Sequence, residues 1–132
     1  MNNQDFNGDI GFILTKAPLE SSVIKKLLGL ALDALNKNKK IGFFLLSDGI
    51  FLIKKNQKNE VYLLFKEILS KNAEIIVSRD HIESAGIMHD QICCELSISD
   101  KPYDDLIDFV MEKYEKVITI WIIVKQIIEK RV

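Results

Sequence analysis

Hydrophobic and polar positions along the 132-residue chain change their period several times. Residues 9–15, DIGFILT, are a short apolar run ended by Lys16-Ala17-Pro18. Proline lacks the N–H that a sheet ladder needs and suits a first helical turn. From residue 19 to 36 the period becomes helical, with Ile24, Leu27, Leu28, Ala31 and Leu35 on one stripe. Residues 41–46, IGFFLL, are apolar throughout. A run this short and continuous predicts a strand buried on both faces, as in a parallel sheet. The polar turn Ser47-Asp48-Gly49 follows, then the apolar run Ile50 to Ile53 and a polar surface loop over 54–59.

The second half repeats the alternation. Residues 60–70 are helical, with Val61, Leu64, Phe65 and Ile68 on one side. Residues 73–77 predict a third strand. A short helix over 80–85 follows, with Asp80 and Glu83 as a capping box and Gly86 closing it. Residues 91–98 read as a fourth strand. Pro102 opens a helix whose expected buried stripe is Tyr103, Leu106, Ile107, Val110 and Tyr114. Residues 117–123 are the last strand, and 122–132 either extend it or turn into a C-terminal helix. Short apolar strands alternating with helices predict right-handed βαβ crossovers. The expected fold is therefore α/β: a single doubly wound domain over 9–132, with about five mostly parallel strands and helices on both faces. Residues 1–8 are expected to be a flexible N-terminus.

Composition narrows the possible roles. At 48% hydrophobic and 28% charged, the chain can bury a core and remain soluble. A net charge of −1 lacks the positive excess of a nucleic-acid binder, so none is expected as a partner. The local basic residues Lys37, Lys39 and Lys40 follow a helix end, where cations suit the dipole. No apolar run reaches the ~18 residues of a membrane span, and the start of the chain has no signal-peptide pattern. Cys93 and Cys94 are the only cysteines, and adjacent strand residues point to opposite faces. The expectation is a cytoplasmic protein with reduced thiols and no membrane partner.

Ligands in this architecture bind beyond the carboxyl ends of strands. Those ends carry Thr15 and Lys16, then Ser47, Asp48 and Gly49, then Ser78, Arg79 and His81, then Ser97, Ser99 and Asp100. Glycine-rich dinucleotide and phosphate-loop signatures are absent, as is a GxSxG elbow. His81 and His89 lack helical metal spacing, so neither a metal nor a cofactor is expected. Asp48-Gly49 is either a turn with Gly49 at positive φ or one wall of a cleft. Cys93 and Cys94 are either small core residues or a thiol site. His81 is either a surface residue or a hydrogen-bond partner and base. Ile50 to Ile53, together with Trp121, Ile122 and Ile123, are either core or an exposed apolar patch suited to self-association.

Lys-Ala-Pro after the first strand, IGFFLLSDGIFLI, the helix ending in Ala-Gly-Ile and the closing KVITIW together resemble the DsrE/DsrF-like sulfur-relay family over about residues 9–121. The resemblance implies a doubly wound α/β domain and assembly as homo- or hetero-oligomers, often trimers or hexamers. It also implies persulfide transfer through a cysteine at the end of the third strand, eight residues before the glycine of the Ala-Gly-Ile motif. Here that glycine is Gly86, and Ser78 stands at the cysteine position. A hydroxyl carries no persulfide. The expectation is a non-catalytic oligomer subunit or small-anion-binding module, with Lys16, Asp48, Gly49, Ser78, Arg79 and His81 lining the site. It is not expected to be an enzyme. The alternative is a sulfurtransferase or persulfide carrier using Cys93 or Cys94, with His81 as a further catalytic candidate.

Overall fold

A computed structural model of the protein describes residues 9–15 and 22–119. Lys16, the expected flexible segment 1–8, Trp121 to Ile123 and the ambiguous stretch 122–132 lie outside the described residues. The elements are β1 (Ile10–Leu14), α1 (Ser22–Asn36), β2 (Ile41–Leu45), α2 (Glu60–Leu69) and β3 (Glu74–Ser78). They continue with α3 (Arg79–Ser84), β4 (Ser97–Ser99), α4 (Pro102–Asp108) and β5 (Lys116–Thr119). Among the described residues, five strands form one sheet in the order β4-β3-β2-β1-β5. Every pairing is parallel.

Strand alternation divides the core in two. Ile10, Phe12 and Leu14 of β1, Ile41, Phe43 and Leu45 of β2, and Ile75 and Val77 of β3 face α1 and α2. Ile13, Phe44 and Ile76 face the other way, against Phe109 and Tyr114. Both faces are thus buried, which explains why β1 and β2 are apolar at every position. Asn38 and Asn72 take positive φ just after α1 and α2, and Gly86 does so after α3. These residues tolerate the left-handed turn that ends a helix.

Four expectations need correction, and one alternative is decided. Ile50 to Ile53 take the core reading rather than the exposed patch: Ser47–Ile53 is a 3-10 helix, and Ile50, Leu52 and Ile53 are fully buried in the core shared with α1 and α2. Gly49 does not carry the positive φ of its turn; Ser47 does, at +49°. Gly49 is instead needed for space, because a Cβ there would lie 2.1 Å from the Leu14 carbonyl oxygen. The strand expected over 91–98 is confined to Ser97–Ser99; His89–Gln91 is a 3-10 turn, and the segment bearing the cysteines is irregular. The α3 N-cap is Ser78, not Asp80. Finally, the stripe expected after Pro102 holds only in part: Tyr114 is buried and Leu106 packs beside it, while a π-helical turn over Phe109–Lys113 adds a residue to the repeat and brings Phe109 inward as well. Tyr103, Ile107 and Val110 are left exposed.

Candidate functional site

The chain after β3 enters α3, whose Ile82 packs in the core on the α1–α2 face. The chain after β4 enters α4, which leads to Phe109 on the opposite face. Adjacent strands whose exits diverge in this way leave a crevice at their carboxyl ends. Ser78 and Ser99, which are register partners, end these two strands. An ion pair joins the residues that follow them: Arg79 Nε donates to Asp100 Oδ1 at 2.5 Å. Each partner shifts the other toward its charged form, raising the guanidinium and lowering the Asp100 carboxyl. Ser99 is buried beside them and donates to Asp105 Oδ2 at 2.5 Å.

Ser78 is fully buried. Its Oγ accepts a long hydrogen bond from the His81 backbone N–H, at 3.4 Å. The serine side chain thus serves the start of α3, as N-cap residues do. The Ser47 N–H donates to His81 Nδ1 at 3.0 Å, tying the end of β2 to α3. Because Nδ1 accepts, a neutral His81 ring carries its proton on Nε2. Asp48 is exposed on the 3-10 helix, while Gly49 beside it is buried. The structure therefore brings Ser47, Ser78, Arg79, His81 and Asp100 together at one corner. Lys16 lies outside the described residues. Asp100 was legible as a strand-end residue but not as the partner of Arg79, because no sequence signal links positions 21 apart that follow different strands.

The cysteines form a separate locus. Both are half-buried, and their Sγ atoms lie 3.2 Å apart. An irregular backbone lets neighbouring side chains converge where a strand would separate them. The Cys93 N–H donates to the Ile53 carbonyl, anchoring the segment to the core. The Cys94 thiol, against the cost of burial, holds Cys93 down to about 7, helped by the Tyr62 hydroxyl and the Lys66 ammonium. Cys94 is pushed upward by its partner. The pair thus yields a first proton readily and a second with difficulty. Tyr62 and Lys66 are contributed by α2, and nothing in the sequence connected them with position 93. Among the described residues, no group of three or more His, Cys, Asp or Glu side chains is placed to hold a metal ion. No described helix is long and apolar enough to cross a membrane.

The solved structures similar to this one include the ychN protein from E. coli. It aligns with a TM-score of 0.72 at 19% identity, over 84% of this chain and 97% of that one. MTH1491 from Methanobacterium thermoautotrophicum, a protein of unknown function, aligns at 0.68 with 10% identity, over 83% and 97%. BT1422 from Bacteroides thetaiotaomicron, also of unknown function, aligns at 0.64 with 20% identity, over 85% and 95%. At these identities the likeness shows a shared α/β fold. No curated protein matches the chain. The DsrE/DsrF-like family model matches residues 8–120, nearly the whole chain, and the protein therefore belongs to the DsrE/DsrF-like family.

Proposed function

We propose that this protein is a DsrE-like subunit whose β3–β4 corner is non-catalytic and binds a small anion. The observation that carries this reading is Ser78. It is a hydroxyl where sulfur chemistry needs a thiolate, it is buried, and it is occupied in capping α3. Arg79 supplies an exposed guanidinium at the crevice, suited to a sulfate or phosphate group. Asp100 already occupies that guanidinium, so an anion must compete with it. Titrating inorganic sulfate and phosphate by calorimetry tests the proposal. Arg79→Ala should abolish measurable binding, and Asp100→Asn should tighten it by releasing the guanidinium. Equal affinity in both variants would reject the site.

The proposal includes assembly as an oligomer, a trimer or hexamer of this chain or of related subunits. Support comes from α4 and the turn after it, where Tyr103, Ile107 and Met111 are more than 60% exposed. Large apolar side chains clustered on one face suit association. A second reading, a persulfide carrier on Cys93 or Cys94, is favoured by the lowered pKa of Cys93.

A further inference from the structure

We propose that Cys93 and Cys94 act together as a dithiol site that reduces small disulfides. Three features of the geometry support it, independently of the anion corner. The Sγ atoms are already in contact at 3.2 Å, so they can join without moving another element. The segment 93–96 has no regular secondary structure that joining them would break. An open groove of about 440 Å³ has Cys94 in its wall, 3.2 Å from Cys93 Sγ, between apolar Leu69, Ala73 and Leu96 and the carboxylates of Glu74 and Glu95. That groove suits a small, uncharged disulfide.

The chemistry balances within the site. The Cys93 thiolate attacks one sulfur of RS–SR, forming Cys93–S–SR and releasing RS⁻. The Cys94 thiol then attacks Cys93 Sγ, forming the Cys93–Cys94 disulfide and releasing the second RS⁻. The two protons given up by the cysteines convert both leaving groups to RSH. Two protein thiols are oxidised and one disulfide is reduced. Tyr62 and Lys66 stabilise the attacking thiolate, and Cys94 is the resolving thiol. Adjacent Cα atoms stand about 3.8 Å apart, closer than the ~4.4 Å lower end for disulfides. The product ring is therefore strained, so an external thiol readily returns it to the dithiol.

The same contact separates this site from the persulfide carrier. A sulfur atom loaded on Cys93 sits beside Cys94, which displaces it as sulfide. The test uses the reduced full-length protein, hydroxyethyl disulfide as substrate and intact-mass analysis. Wild type should lose two hydrogen atoms in mass and both alkylatable thiols, with a peptide map placing the link at Cys93–Cys94. Cys94→Ser should stop at a mixed disulfide on Cys93, and reductant should restore both proteins. With a small-molecule persulfide, wild type should release sulfide and form the same internal link. Wild type that keeps both thiols alkylatable, or that stops at a mixed disulfide, overturns the proposal. A stable one-sulfur adduct on wild type overturns it too, in favour of the carrier. A thermal melt of Cys94→Ser matching wild type secures the comparison.

Discussion

At the scale of single residues, Glu74 shows how partners override burial. Burial pushes its carboxyl up, yet Lys113 Nζ at 2.9 Å and the Tyr114 hydroxyl at 2.8 Å together hold it below its ordinary 4.5. Tyr114 is shifted the other way, by burial first and by Glu74 second. A depressed carboxyl stabilises the fold fully above about 4.5, and the contribution is lost as pH falls through the folded-state value. Tyr114→Phe removes one of the two bonds. It should cost about 1 kcal/mol near neutral pH. It should also flatten the loss of stability on acidification, because Glu74 then titrates closer to its unfolded value. Urea unfolding near neutral pH and below the carboxylate range measures both effects. An unchanged acid limb would show that Lys113 alone sets the carboxyl.

Elements meet through space left open by small residues. A Cβ on Gly42 of β2 would lie 2.0 Å from the Tyr114 hydroxyl oxygen, and one on Gly11 of β1 would lie 2.6 Å from the Phe109 ring. These two glycines let the π-turn after α4 bring both rings down onto the sheet. Phe109 meets Phe44 edge-on at 5.5 Å, and Tyr114 packs against Phe109 at 4.6 Å. Gly42→Ala displaces Tyr114, and should cost about 1–3 kcal/mol from overpacking, besides the Glu74 bond. Gly29 in α1 has nothing within 4 Å of its missing Cβ. Gly29→Ala should therefore stabilise the protein by about 0.5–1 kcal/mol through helix propensity. Denaturant midpoints of opposite sign would confirm the distinction; a neutral Gly42→Ala would mean that Tyr114 is free to move.

At the scale of the whole molecule, the described residues cover the sheet unequally. One face carries α1, α2 and the Ser47–Ile53 helix, whereas the other carries α4 and its π-turn among the described residues. Tyr103, Ile107 and Met111 then face outward on that thinner layer. Self-association through this face predicts a light-scattering mass of three or six chains at micromolar concentration for the proposed trimer or hexamer. Ile107→Lys should shift the mass toward one chain without changing the far-ultraviolet dichroism. A wild-type mass of one chain would remove the interface.

The sequence alone determined the order of strands and helices, the parallel sheet and the family, because each rests on local periodicity and on motifs contiguous in the chain. It also located the β3 corner and the serine within it. Phase and partnership were decided only in three dimensions. The π-turn shifts a helical stripe by a residue, and periodicity assumes a uniform 3.6-residue repeat. Alternation cannot show where a strand is too short to separate Cys93 from Cys94. Arg79 meets Asp100, and Tyr62 meets Cys93, through crossovers that bring distant positions together. Such pairs leave no trace in spacing, so the chemistry of both loci became visible only when the sheet brought their elements side by side.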